Sequence, residues 1–121
     1  MGVTIFHNPN CGTSRNVLAA LQAADLKPTV VEYLKTGWTK PQLEGLLAQL
    51  HARPRDILRI NGTPAQELGL TDPSVSDAAI LDAMVAHPIL VQRPIVQTDK
   101  GTILARPSEK IFDLIGHPAS G

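Results

Sequence analysis

The first 34 residues place an apolar run, an amphipathic segment and a second apolar run in direct succession. Residues 3–6 predict a buried strand, residues 17–21 have the apolar spacing of a helix, and residues 29–34 predict a second strand. A strand, a helix and a strand over about thirty residues form a βαβ unit, whose strands are parallel and whose crossover is right-handed. This unit restricts the chain to folds in which helices cover a sheet.

The middle of the chain has helical signals and no strand pattern. Thr39 with Gln42 is a capping-box pattern, and leucines at helical spacing follow it. Further helical starts are predicted at Pro54 and at Ser76. We therefore predict an all-helical insertion at about 38–86, within a single domain of 121 residues.

The last third of the chain predicts a β-hairpin. Residues 95–98 and 102–105 have strand patterns and flank a turn at 99–101 that contains glycine. Partners across an antiparallel pair centred there have residue numbers that sum to roughly two hundred. This register brings Arg93 beside Arg106 at the open end of the hairpin.

A final helix is predicted to begin at Pro107 and to end at Gly116, before a loose tail over 117–121. The predicted element order is βαβ, helical insertion, ββα. The fold class is therefore α/β, with a mixed sheet and helices on its faces.

Composition excludes several classes of protein. Eleven basic and eleven acidic side chains cancel, so we expect neither a nucleic-acid partner nor a membrane partner. The single cysteine excludes an internal disulfide and suits the reducing cytoplasm, and we expect no signal peptide. The histidines at 51, 87 and 117 lack the spacing of metal ligands, so no metal is predicted.

That single cysteine, Cys11, lies where the first predicted strand meets the first helix. The free N–H groups of a first helical turn and the helix dipole favour a negative charge at this point. Arg15 adds a full positive charge nearby, and such surroundings lower the pKa of a thiol. Pro9, Gly12 and the polar neighbours argue against an inert core cysteine. Cys11 is therefore a candidate reactive thiolate.

Arg93 and Arg106 are candidates for oxyanion binding. Two adjacent guanidinium groups repel unless an anion or a carboxylate lies between them, and the planar fork of arginine suits a tetrahedral oxyanion. The alternative is that both arginines form surface ion pairs with Glu109 or Asp113.

Several sequence blocks follow one another along the chain: His7-Asn8-Pro9-Asn10-Cys11-Gly12-Thr13-Ser14-Arg15-Asn16, Glu67-Leu68-Gly69-Leu70, His87-Pro88-Ile89-Leu90, Arg93-Pro94-Ile95-Val96 and Arg106-Pro107-Ser108-Glu109. In this order and with this spacing, they resemble the glutaredoxin-coupled, ArsC-like arsenate reductase family. The resemblance covers nearly the whole chain and implies a thioredoxin-like fold with a helical insertion.

The resemblance implies a role for each site residue. Cys11 is the implied nucleophile, and His7 and Ser14 match positions that stabilise its thiolate. From the residues alone, His7 is better explained by a structural place at a strand end, and Ser14 has the alternative role of satisfying backbone donors in the first helical turn. The implied oxyanion-binding residues are Arg59, Arg93 and Arg106. Arg59 matches only by its place in the family motif, because spacing alone leaves it an ordinary cation at a helix end.

The implied reaction is arsenate reduction. Arsenate docks between the arginines, and Cys11 attacks arsenic to give a covalent thiol–arsenate adduct. Because the sequence has no second cysteine, an external thiol must resolve the adduct. The family uses glutathione as co-substrate, followed by glutaredoxin, and no bound cofactor is expected.

Three other kinds of protein match the sequence less well. A thioredoxin-fold, glutathione-reactive protein without arsenate activity would keep Cys11, although the three arginines speak against it. Related regulators that bind RNA polymerase typically carry two cysteines separated by two residues, and here Ser14 occupies the second position. A phosphatase is a third alternative, but its phosphate-binding loop needs an arginine six residues after the cysteine. This chain has Val17 there, which argues against a phosphatase.

Overall fold

The computed structural model describes residues 2–115, and the predicted helix end at Gly116, the tail and His117 lie outside them. The chain divides into two compact units, one formed by residues 2–33 and 93–115 and the other by residues 34–92. This division does not test the predicted single domain or the predicted bounds of the helical insertion, and both stay predictions.

The sequence of elements follows the predicted order. The elements are β1 (Thr4–His7), α1 (Gly12–Ala23), β2 (Thr29–Glu32), α2 (Tyr33–Thr36), α3 (Lys40–Leu50), a 3₁₀ turn (Pro54–Ile57), α4 (Asp77–Ala86), a 3₁₀ turn (Pro88–Leu90), β3 (Ile95–Thr98), β4 (Gly101–Leu104), a 3₁₀ turn (Ser108–Ile111) and α5 (Phe112–Ile115).

The first unit contains a four-stranded mixed sheet in the order β2-β1-β3-β4. Strand β1 is parallel to β2 and antiparallel to β3, and β3 and β4 form the predicted hairpin. The predicted α/β class and mixed sheet are therefore confirmed. Helix α1 connects the two parallel strands, as the βαβ pattern requires.

One apolar core holds this unit together. Helix α1 buries Ser14, Val17 and Leu21, which lie on one helical face. The core of the unit consists of Val3, Ile5, Val17, Leu21, Val96, Ala105 and Ile111. Because Ser14 shares the face of Val17 and Leu21, the packing of α1 fixes the turn that follows Cys11.

The second unit is mainly helical, and two predicted helix starts in it are confirmed. Thr39 Oγ1 accepts a hydrogen bond from the Gln42 N–H at 3.2 Å, and Gln42 Oε1 accepts one from the Thr39 N–H at 3.4 Å. Ser76 Oγ accepts a hydrogen bond from the Ala79 N–H at 3.1 Å and begins α4. Both caps satisfy N–H groups that have no partner within the helix.

Strand and helix ends differ from prediction where pairing or turn geometry intervenes. Residues 33 and 34 were predicted in strand β2 but lie in α2, because the pairing of β2 ends at Glu32, opposite the last residue of β1. The start at Pro54 gives only a 3₁₀ turn, since Leu58 becomes extended and pairs with Val91. Strand β4 begins at Gly101, one residue earlier than predicted, because that glycine pairs with Thr98 at a φ of 150°.

Candidate active site

The hairpin brings the two predicted arginines together. Arg106 Nη1 donates a hydrogen bond to the backbone carbonyl oxygen of Arg93 at 2.9 Å. This contact extends the register in which Ile95 pairs with Leu104, and it agrees with the predicted proximity of the two arginines. The Arg93–Pro94 and Arg106–Pro107 peptide bonds are both cis.

Cys11 is the N-cap residue of α1. It has an extended backbone, with φ −101° and ψ 122°, and its carbonyl accepts the first helical hydrogen bond, from the Arg15 N–H at 3.0 Å. Its own N–H donates to the Asn8 carbonyl at 3.0 Å. The residue is 8% exposed and lies at the N-terminal end of the helix, where the helix dipole favours a negative charge.

The sulfur faces positive charge. Arg106 Nη1 lies 3.6 Å from Cys11 Sγ, so this one nitrogen contacts both the sulfur and the Arg93 carbonyl. Burial raises the pKa of the Cys11 thiol, but hydrogen bonding from the Ser14 backbone and from the Arg93 and Arg106 side chains outweighs burial and lowers the pKa from 9.0 to about 7. The thiolate is therefore well populated at neutral pH.

The rate at which iodoacetamide alkylates Cys11 is expected to follow the thiolate fraction, with a midpoint at about pH 7. Because the shift is downward, reactivity is present above this pH and is lost as the pH falls through it. Arg106→Ala removes one stabilising donor and should move the midpoint upward. Mass spectrometry of the alkylated protein across the pH range measures both values. Urea-unfolded protein is the control, and a folded midpoint equal to the unfolded one would contradict the assignment.

Arg93 carries unused hydrogen-bonding capacity. Its residue is 9% exposed, and its Nε and Nη1 atoms are buried without a hydrogen-bond partner in residues 2–115. Within the same residues, neither Arg93 nor Arg106 is paired with Glu109 or Asp113, so the alternative of surface ion pairs is not what the structure contains. A buried guanidinium with unsatisfied N–H groups costs free energy unless an anion completes it.

His7 and Ser14 form a buried pair behind the cysteine. His7 Nδ1 lies 2.6 Å from Ser14 Oγ, which also accepts the Asn8 N–H at 3.1 Å. Burial lowers the pKa of His7 from its usual value of 6.5; the charge of Glu32 opposes this shift, and that of Arg15 adds to it. The Ser14 hydroxyl thus accepts from a backbone donor, but that donor lies in the loop before Cys11 and not in the first helical turn, and the Ser14 backbone also aids the thiolate. The thiolate-stabilising roles of the two side chains stay predictions.

The Arg15 side chain hydrogen-bonds to the loop that precedes α1. Its Nη1 donates to the Pro9 carbonyl at 2.8 Å, and its side chain is exposed. The guanidinium therefore braces the turn that leads into Cys11. Its predicted role in stabilising the thiolate stays a prediction.

Asn8 is a site residue that the sequence reasoning missed. It is 3% exposed, and its Oδ1 accepts the Asn10 N–H at 2.9 Å. Together with the bonds of its N–H to Ser14 and of its carbonyl to Cys11, this fixes the loop at three points. The signal was present, because an Asn-Pro-Asn run is typical of a turn in which the side chain bonds to the backbone two residues on.

Arg59, the third predicted arginine, belongs to the helical unit. Its backbone N–H donates to the Leu90 carbonyl at 2.7 Å, and its Nη1 donates to Gln92 Oε1 at 3.3 Å. An open cleft of about 290 Å³ is lined by Leu58, Arg59, Ile60, Asn61 and Gln92. Sequence spacing gave no reason to connect Gln92 with Arg59.

Within residues 2–115, no three His, Cys, Asp or Glu residues gather as they would around a metal ion. No helix there has both the length and the apolar character needed to cross a membrane.

A βαβ unit continued by a hairpin, with a low-pKa cysteine capping the first helix, defines a thiol protein of the thioredoxin-like fold. Comparison with known proteins refines this class. The ArsC family model matches residues 6–114, and the chain belongs to the ArsC family.

Arsenate reductases of other organisms match this chain over more than four-fifths of their own lengths. Arsenate reductase ArsI2 of Synechocystis is 57% identical over 119 residues, which cover 98% of this chain and 85% of the relative. An arsenate reductase of Rhizobium meliloti is 52% identical over 115 residues, covering 95% of this chain and 82% of the relative. The solved structure of an arsenate reductase from Vibrio cholerae has a TM-score of 0.88 at 37% identity, covering 93% of this chain and 97% of that one.

Proposed function

We propose that this protein reduces arsenate to arsenite. The observation that carries the proposal is the juxtaposition of a thiol of pKa about 7 with two arginines, one of which has buried nitrogens without partners in residues 2–115. The choice of arsenate as the substrate rests on the relatives, which are arsenate reductases, because the geometry alone would suit any small tetrahedral oxyanion.

Arsenate binds through charge-assisted hydrogen bonds. The Nε and Nη1 atoms of Arg93 supply donors that lack other partners within residues 2–115, and Arg106 adds positive charge beside the sulfur. Arg59 is proposed for the same task from its position in the family motif. Binding the anion gives these two buried nitrogens hydrogen-bond acceptors, so satisfying them contributes to substrate affinity.

In the first step, Cys11 Sγ attacks arsenic and forms an S–As bond. One As–O bond breaks, and the leaving hydroxide takes a proton and departs as water. Arsenic stays in the +5 state, and the arginines offset the charge on the remaining oxygens.

Two external thiols then supply the electrons. Glutathione attacks arsenic, forms a second S–As bond and displaces a second oxygen, which leaves as water. A glutaredoxin thiol next attacks the glutathione sulfur and forms a mixed disulfide; the bond between that sulfur and arsenic breaks, and its electron pair stays on arsenic, which becomes +3. Water then hydrolyses the remaining S–As bond, which releases arsenite and restores the Cys11 thiol. One arsenic acid and two thiols give one arsenous acid, one disulfide and one water, so atoms and electrons balance. Glutathione is therefore a co-substrate, and no bound cofactor is required.

A reducing cytoplasm fits this chemistry. The single cysteine has no partner in the sequence with which to form a disulfide, and glutathione is abundant in that compartment. We propose a cytoplasmic location on this ground.

A reconstituted assay tests the proposal. The protein is mixed with arsenate, glutathione, a glutaredoxin, glutathione reductase and NADPH, and arsenite is measured by chromatography with elemental detection. We expect arsenite in the full mixture and none when either glutathione or glutaredoxin is omitted. Absence of arsenite, with glutathione attached to Cys11, would instead favour a glutathione-reactive protein without arsenate activity.

A further inference from the structure

We propose that Gln92 is a positioning residue that holds the guanidinium of Arg59 for oxyanion binding. The inference rests on the proposed role of Arg59 in that function. It adds a residue to which neither the sequence motifs nor the similarity to arsenate reductases assigns a role.

The backbone around Arg59 is fixed first. The Arg59 N–H donates to the Leu90 carbonyl at 2.7 Å, and the Gln92 N–H donates to the Ile57 carbonyl at 2.9 Å. Between these bonds, Leu58 and Val91 form an antiparallel bridge. Two short extended segments are therefore paired, and their buried apolar residues anchor them.

This pairing puts Arg59 and Gln92 on one face. Residues that alternate with the bridged pair point to the same side of a two-stranded ladder, and diagonal neighbours lie within reach of long side chains. Arg59 Nη1 accordingly reaches Gln92 Oε1 at 3.3 Å, and both side chains line the open cleft. An arginine side chain has many rotamers, so an acceptor carried on a backbone segment that is held by this pairing reduces the orientations available to the guanidinium.

The chemical nature of the acceptor matters. A glutamine carbonyl is neutral, so it orients the guanidinium while leaving its positive charge available to an anion. A carboxylate at the same place would orient the fork equally well but would cancel that charge. Gln92 is thus suited to position a cation that must itself bind an oxyanion.

Arsenate kinetics test the proposal with Gln92→Ala, Gln92→Glu and the control Gln66→Ala, which removes an exposed glutamine side chain of the same unit. For Gln92→Ala we expect KM for arsenate to rise about tenfold, with kcat within about twofold and Tm unchanged. Gln92→Glu should raise KM as well, although it keeps an acceptor, whereas Gln66→Ala should match the unsubstituted protein.

A double substitution separates positioning from direct binding. In an Arg59→Ala background, Gln92→Ala should have no further effect on KM, because it acts only through the guanidinium. An additional tenfold rise in that background would overturn the proposal, as would an unchanged KM for Gln92→Ala in the otherwise unsubstituted enzyme.

A second readout does not depend on turnover. The NMR order parameter of the Arg59 Nε–H group, assigned by its loss in Arg59→Lys, should fall by about a third in Gln92→Ala and stay unchanged in Gln92→Glu and Gln66→Ala. If arsenate is not reduced but this loss of order is seen, the proposed function is wrong and the positioning role stands. An unchanged order parameter in Gln92→Ala overturns the positioning role whether or not arsenate is reduced.

Discussion

Cys11→Ser is expected to abolish arsenate reduction, with a loss in kcat of more than about a thousandfold. A serine hydroxyl stays protonated at neutral pH, whereas the Cys11 thiol has a pKa of about 7 and supplies a thiolate. The substitution changes little volume at a helix cap, and serine is itself a favoured N-cap residue. The Tm should therefore stay within about 2 °C of the unsubstituted value.

The control for this variant is the unsubstituted protein after complete alkylation of its single cysteine, which should be equally inactive. Arsenite release is measured for all three samples in the reconstituted assay. Full turnover by the serine protein would show that the nucleophile has been wrongly assigned and would remove the basis of the proposed reaction.

Arg93→Ala should lower kcat/KM for arsenate by about a hundredfold to a thousandfold, the range found when a preorganised donor to a developing oxyanion is removed. Arg93 also lowers the pKa of Cys11, so the midpoint of alkylation should rise in the same variant. Two effects of one side chain are thus measured separately, one on oxyanion binding and one on the thiol.

The matched control is Arg53→Ala. Arg53 is an exposed arginine of the other unit, and its Nε lies 3.0 Å from the Asp77 carboxylate, so its removal tests the loss of a guanidinium as such. Its kcat/KM should stay within about twofold of the unsubstituted value, because exposed ion pairs contribute little. Arg93→Lys keeps the charge and loses the planar fork, and it should recover only part of the lost activity. Equal activity of Arg93→Ala and Arg53→Ala would contradict the assignment.

The sheet was predictable because its signals are local. The spacing of apolar residues over 3–34 indicates a βαβ unit, and the turn at residues 99–101 determines the register of the hairpin around it. Hairpin register also gave the proximity of Arg93 and Arg106, since residues across a tight turn pair by arithmetic alone.

Tertiary pairing accounts for what the sequence did not reveal. The end of β2 depends on the length of β1, and the shortness of the turn at Pro54–Ile57 depends on pairing with a segment more than thirty residues away. The contact between Gln92 and Arg59 arises from that same pairing. No periodicity within a window of a few residues contains this information.

In the candidate active site, too, local signals were visible in the sequence and contacts between distant residues were not. A helix start after an apolar strand was enough to single out Cys11. The His7–Ser14 contact and the use of Arg15 by the Pro9 carbonyl depend instead on how the loop closes. Asn8 sets that closure, and its turn signal alone could not say which donors would meet there.

The tight hairpin limits which insertions and deletions the protein can accept without losing its active site. Only two residues, Asp99 and Lys100, separate Thr98 from its partner Gly101. Exposed turns ordinarily tolerate added residues. Here a single insertion that slipped the pairing by one position would point the later side chains of β4 to the opposite face. Arg106 would then swing away from the sulfur it now contacts at 3.6 Å. The length of this turn therefore determines where Arg106 lies, although no residue of the turn takes part in the reaction. We expect relatives that use this arginine to keep the same turn length.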